Sequence, residues 1–248
     1  MPKGESGRMR IGISYHPRSA SYENYPRALA HAARYLELPL EAVWLGAPDT
    51  PCDAAALAHL DGLVLTGGGD VAPERYGRAD AAPRCRDIDP GRDRDEWAIL
   101  DALASHPLPT LAICRGAQLL NVYHGGTLIP NLDTAAAHAS DAGADRYHRV
   151  EIVAGSLLHE LAETGAQVNS AHHQAVDALA PPFAASAFAP DGCLEAYEWR
   201  DTGGKPWLLA VQWHPERYPS RERWNPETPL GGGIFRAFLE ASAAHTGG

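Results

Sequence analysis

Short apolar runs and amphipathic stretches alternate through the first half of the chain. Residues 10–14, 42–45, 62–65 and 110–113 are brief aliphatic runs that predict strands, and 25–36, 53–59, 93–105 and 115–123 carry Ala and Leu at helical spacing. A strand–helix alternation of this kind predicts a parallel sheet with helices on both faces and its working loops at the carboxyl ends of the strands. The second half changes period. Residues 148–153, 166–169, 183–189, 194–199 and 207–213 predict strands with few helices between them, and 234–244 predicts a closing helix after Gly231, Gly232 and Gly233. Residues 76–90 and 135–145 lack either period and predict exposed loops. No internal repeat or long linker interrupts the pattern, so one domain over residues 1–248 is expected.

Composition narrows the field. The 248 residues carry 21 Lys and Arg against 31 Asp and Glu, a formal net charge of −10. Binding to nucleic-acid phosphates or anionic lipid needs clustered Lys and Arg, so neither partner is expected. No apolar run approaches the roughly 20 residues of a membrane-spanning helix, and the polar first ten residues predict no secretion signal. The four cysteines, Cys52, Cys85, Cys114 and Cys193, are widely spaced with no C-x-x-C pair, which suits the reducing cytoplasm.

The chemistry concentrates in three segments. An apolar strand over 110–113 stops at Cys114 and turns at once into a helix through Arg115 and Gly116. A cysteine on such an elbow meets the unpaired N–H groups and positive dipole end of the helix, which favour the reactive thiolate. Taken alone, a lone cysteine at a strand end is more often a buried structural one. A second strand, ending Val211-Gln212-Trp213-His214-Pro215-Glu216, offers what a nucleophilic thiol requires. His214 can take and return a proton, and Glu216 can orient and stabilise the imidazolium. An extended segment would put both side chains on one face. The third segment, Leu63-Val64-Leu65-Thr66-Gly67-Gly68-Gly69-Asp70, ends a strand in three glycines. It matches neither the dinucleotide fingerprint nor the P-loop, so the better reading is an oxyanion hole formed by the N–H groups of Gly68 and Arg115.

These segments, with Gly125-Gly126-Thr127, Val168-Asn169-Ser170-Ala171-His172-His173-Gln174 and Asp191-Gly192, resemble the class I glutamine amidotransferase-like hydrolases. The likeness is strongest to the γ-glutamyl-γ-aminobutyrate hydrolase branch, also classed as cysteine peptidases of the C26 kind. It implies a three-layer α/β/α sandwich on a mostly parallel sheet and a Cys114–His214–Glu216 triad. It further implies substrate contacts from Gly69, Gln118, Ser170 and one of His172 or His173, with Gln118 at the α-amino-acid end of a γ-glutamyl group. Two departures stand out: Ala112 replaces a glycine common before the cysteine, and Thr66 replaces a proline before the glycine run, with little effect expected from either.

The adjacent His172 and His173 invite a metal reading. Neighbouring strand residues face opposite ways and no third ligand follows at regular spacing, so no metal is expected. His138 and His148 flank an irregular loop and read as surface or hydrogen-bonded residues, and Trp213 as core. The expected reaction is hydrolysis of a γ-glutamyl amide such as γ-glutamyl-GABA through a thioester on Cys114, without a cofactor, with polyamine catabolism as its implied setting. The rival is a glutaminase delivering ammonia to a separate synthetase. A small-molecule substrate and a homodimer complete the expectation.

Overall fold

The computed structural model describes residues 7–14, 20–46, 52–162, 165–217, 225 and 227–246. The first half runs β1 (Met9–Ser14), α1 (Asn24–Tyr35), β2 (Leu40–Leu45), α2 (Ala54–Leu57), β3 (Gly62–Leu65), α3 (Pro90–Ser105), β4 (Thr110–Ile113) and α4 (Arg115–Tyr123). Then follow β5 (Leu128–Ile129), α5 (Ala135–His138), β6 (Arg146–Arg149), β7 (Glu151–Ile152), α6 (Leu157–Leu161), β8 (Gln167–Ser170) and β9 (Ala175–Val176). The chain continues through β10 (Phe183–Phe188), β11 (Leu194–Trp199), β12 (Leu208–Val211) and α7 (Gly232–Thr246).

Eight strands form one sheet in the order β2-β1-β3-β4-β12-β11-β10-β7. Pairing is parallel from β2 through β12 and antiparallel from there to β7. β5 with β9 and β6 with β8 make two small antiparallel ribbons beside it. The central strands β3, β4 and β12 are buried along their whole length, which is why they read as continuous apolar runs. Their side chains still alternate between faces. Val64, Leu111, Ile113, Leu209 and Val211 pack with α1 and α7, while Leu63, Leu65, Ala112, Leu208 and Ala210 pack with α3 and α4. The result is the expected three-layer sandwich, with the Ala112 methyl taken up in the second layer.

The register fixes where three turns emerge. Leu65 lies opposite Ala112 in the β3–β4 pair, and Ile113 lies opposite Val211 in the β4–β12 pair. The residues following each strand therefore leave the sheet at one level, on neighbouring strands about 4.8 Å apart. Gly116 makes this packing feasible, because a methyl group there would overlap the Leu65 carbonyl, with its carbon 2.7 Å away.

Several boundaries differ from expectation for identifiable reasons. The helix expected from 93 starts at Pro90, since Asp89 accepts hydrogen bonds from the backbone N–H groups of Gly91 and Arg92 at 3.0 and 3.1 Å and proline is at home in a first turn. The loop expected over 76–90 contains the tight helical turn Ala79–Arg84, and 135–145 contains α5. Residues 148–153 split between β6 and β7, which belong to different sheets. The short α6, capped by Ser156, had no periodic signal long enough to see. Among the described residues no helix is long and apolar enough to cross a membrane.

The close approach at Gly116 has a measurable consequence. Gly116→Ala should lower unfolding stability by about 1–3 kcal/mol in urea titrations through overpacking; an unchanged midpoint would show that the elbow does not need this contact.

Candidate active site

Cys114 sits between β4 and α4 with φ of 52° and ψ of −107°. Positive φ at a residue bearing a side chain costs about 1–3 kcal/mol and persists only where its surroundings impose it. Here the imposing contacts are the bond from Cys114 N–H to the Val211 carbonyl at 2.8 Å and the Gly116–Leu65 approach. Cys114 occupies the N-cap position of α4 without capping it through its side chain, so the sulfur is not tied to the helix whose first N–H groups lie beside it.

His214 follows β12 and is buried. Asn169 clamps its backbone from both sides, accepting from His214 N–H at 3.1 Å and donating to its carbonyl at 3.0 Å. His214 Nδ1 lies 2.7 Å from Glu216 Oε1. The geometry that achieves this is not the extended segment expected from the sequence, because β12 ends at Val211 and Pro215–Arg217 forms a tight helical turn that swings the carboxylate onto the ring. With Nδ1 engaged, Nε2 is the nitrogen left for the thiol. A carbon placed on Gly67 would lie 2.9 Å from His214 Cε1 and 3.5 Å from Cys114 Cβ, so ring and thiol flank the same glycine. Burial pulls the His214 pKa down, but Glu216 and then Cys114 outweigh it and push the value up to about 9. Burial raises Glu216, and the imidazolium more than reverses this, leaving it below its ordinary value.

The glycine turn is held from behind by a polar strut that the sequence did not reveal. Tyr22 donates to the Gly67 carbonyl at 2.7 Å, and Gly67 N–H donates to the Tyr25 hydroxyl at 2.9 Å. Gly68 has φ of +146°, and a methyl there would overlap the Arg92 guanidinium and lie 2.6 Å from the Tyr22 hydroxyl. Arg92 also donates to the Thr66 carbonyl at 3.2 Å, to Thr66 Oγ1 at 2.9 Å and to Glu96 at 2.9 Å. Arg115 pairs with Asp93 and Glu96. Two buried guanidiniums thus meet two buried carboxylates, the arrangement a low-dielectric interior requires. Burial alone would raise the Glu96 pKa, but Arg115 and Arg92 hold it low. Thr66, expected to matter little, is a hub of this strut through further bonds to Ser14. The i, i+4 spacing of Arg92 and Glu96 was the available signal, but it lies in a first half of the helix already crowded with Asp93, Arg94 and Asp95.

A cavity of about 460 Å³ opens over these groups. Of the residues expected to make a site, Gly68, Gly69, Cys114, His173, His214 and Glu216 line it. His173 is therefore the histidine that faces the cavity, with Nε2 3.0 Å from Asp70 Oδ2 and Nδ1 3.1 Å from Asn131 Oδ1. Gln118, Ser170 and His172 do not line it. Gln118 donates to the Gln174 carbonyl and to Gln212 at 3.1 Å each, Ser170 donates to the His138 carbonyl at 2.8 Å, and His172 turns the other way onto the Gln174 carbonyl. Arg115 starts α4 with its backbone, as expected, while its side chain serves the strut. Asp70, Arg86 and Arg217, which also line the cavity, were missed, since single charged residues beyond the strand ends carry no pattern.

The Peptidase C26 family model matches residues 19–216. The chain belongs to that family. It is 32% identical over 249 residues to the Escherichia coli γ-glutamyl-γ-aminobutyrate hydrolase PuuD, covering 95% of this chain and 91% of that one. It is 38% identical over 169 residues to protein NtpR of Enterococcus hirae, covering 66% of this chain and 70% of that one. The glutaminase domain of Trypanosoma brucei CTPS superposes with a TM-score of 0.66 at 16% identity, covering 95% of this chain and 94% of that one, a likeness of fold. This C26 member is accordingly a glutamine amidotransferase-like hydrolase acting on amide bonds.

The elevated His214 pKa gives a direct test. Its ring should titrate near pH 9 by NMR, and Glu216→Gln should move the titration downward, because removing a carboxylate removes what favours the charged ring. An unmoved titration would show that the Glu216 contact does not set the charge of the histidine.

Proposed function

We propose that this protein hydrolyses γ-glutamyl amides, with γ-glutamyl-GABA or a related γ-glutamyl amine as substrate, through a thioester on Cys114. The observation that carries the reading is the meeting of a strained thiol, the His214–Glu216 pair and the Gly68 turn on one cavity. The Cys114 thiolate attacks the side-chain carbonyl carbon, and the resulting oxyanion is received by the N–H groups of Gly68 and Arg115. As the tetrahedral intermediate collapses, the His214 imidazolium gives its proton to the departing amine, leaving a γ-glutamyl thioester. Neutral His214 then takes a proton from water, the hydroxide equivalent attacks the thioester, and glutamate leaves as the thiol is restored.

The cavity lining suits the zwitterionic end of a γ-glutamyl group. Arg86 and Arg217 are cations for its α-carboxylate, and Asp70 is an anion for its α-ammonium. The name of the Escherichia coli relative, which covers nearly the whole chain, supports the substrate class. All four cysteines are free thiols, in keeping with a cytoplasmic enzyme.

Cys114→Ala should cut glutamate release from γ-glutamyl-GABA by roughly four orders of magnitude while the fold is retained; undiminished release would refute the thioester route. A panel of γ-glutamyl amides including glutamine separates the hydrolase from an ammonia-supplying glutaminase, with amine release from γ-glutamyl-GABA expected to dominate. Arg86 is exposed, so Arg86→Ala should raise KM about tenfold with kcat little changed, the loss of one charge-assisted contact. An unchanged KM would remove Arg86 from substrate binding.

A further inference from the structure

Away from the cavity, four side chains from four segments meet in a buried knot. His138 ends α5, His148 lies in β6, His172 follows β8 and Glu195 lies in β11. His138 Nδ1, His148 Nε2 and His172 Nε2 stand 3.4, 3.3 and 3.5 Å from Glu195 Oε1. One such atom from each residue can be chosen so that all lie within 4.8 Å of one another. The side chains are 2%, 11%, 2% and 0% exposed in that order. None of the three nitrogens, nor either Glu195 carboxylate oxygen, has a hydrogen-bond partner. Orphaned polar atoms gathered in this number call for an explanation.

The far side of each ring supplies one. His172 Nδ1 lies 2.9 Å from the Gln174 carbonyl and His148 Nδ1 lies 3.2 Å from the Arg149 carbonyl. A carbonyl oxygen only accepts, so both rings carry a proton on Nδ1, and as neutral imidazoles they present a lone pair at Nε2. His138 Nε2 lies 2.9 Å from Asp191 Oδ2, a carboxylate that selects the opposite tautomer and leaves the lone pair on Nδ1. Outer contacts of this kind are what orients histidines that ligate a metal. The spacing agrees. Charge-assisted hydrogen bonds from a protonated ring to Glu195 would be about 2.7–2.9 Å long, whereas ligands held at ~2.0–2.1 Å around a tetrahedral ion stand about 3.3–3.4 Å apart.

We propose that His138, His148, His172 and Glu195 bind one divalent transition-metal ion, zinc by donor type and geometry. Four protein ligands fill a tetrahedral site and leave no position for substrate, so the ion is structural. It ties the β6–β8 ribbon and α5 to β11 of the main sheet. The segment it anchors continues into the cavity wall, since Ala171 and His173 line the cavity and Asn169 clamps His214. The inference departs from the expectation of no metal, which considered only the adjacent pair His172 and His173. The ligands instead come from irregularly spaced segments, and His173 is not among them. The proposal does not rest on the γ-glutamyl reading and is tested without an assay of turnover.

The test uses the full chain without a polyhistidine tag in a Cys114→Ala background, which removes the cavity thiol as a competing ligand. Metal content is measured by plasma mass spectrometry, and chelator-stripped protein is titrated with zinc chloride alone and with cobalt chloride alone. We expect one equivalent of zinc per chain, a higher unfolding midpoint with zinc, and the intense visible bands of tetrahedral cobalt without thiolate charge transfer. Glu195→Gln and the more exposed His148→Ala should each weaken zinc binding by more than about a hundredfold. Failure to take up stoichiometric zinc would overturn the proposal, as would uptake unchanged in both variants. A thiolate charge-transfer band would also overturn this ligand set, since Cys193 lies two residues before Glu195.

Discussion

The parallel register of β3, β4 and β12 is the constraint on which the rest depends. Leu65, Ala112, Ile113 and Val211 are locked at one level by the ladder, so three segments up to about 150 positions apart in sequence begin their turns side by side. A one-residue slip in any strand would exchange its two faces, turning side chains fitted to the α1 and α7 layer toward α3 and α4. The close-packed apolar layers on both faces oppose this, so the ladder and its hydrophobic packing together set the position of the thiol, the imidazole and the glycine turn.

Polar groups then set orientation. Arg92 and Arg115 are fully compensated by Asp93, Glu96 and the Thr66 carbonyl, and such pairs are weak contributors to net stability. Their value here is geometric. The guanidinium of Arg92 fills the space where a side chain at position 68 would stand, which leaves the turn one backbone path. On the opposite wall Asn169 holds the His214 backbone, and Asp145 links Asn169 to Arg217 through contacts of 3.1 and 2.8 Å. The cavity thus lies between two networks, one built on α3 and the other on the β6–β8 ribbon.

Much of this was legible in the sequence because it follows from short-range rules. Apolar runs ending in glycine, cysteine and histidine announced the sheet and three of its turns, and strands 62–65, 110–113 and 194–199 have the expected ends. What was illegible depends on tertiary placement. His138, His148, His172 and Glu195 share no spacing, and only the folding of the ribbon onto β11 unites them. Gln118 and Ser170 were expected at the cavity only through the family resemblance, yet their polar atoms are engaged by backbone carbonyls elsewhere. Position along the chain could not say which of two adjacent histidines turns inward; the side of the strand end did.

The central claim is that the Cys114 sulfur becomes acylated by the γ-glutamyl group. The most direct measurement is mass spectrometry of protein mixed with γ-glutamyl-GABA and quenched in acid within a turnover, followed by mapping of the modified peptide. The account predicts a mass increase of one γ-glutamyl group on the peptide carrying Cys114, lost on treatment with hydroxylamine. Steady glutamate release with no adduct on that peptide, or with the adduct on another residue, would contradict it.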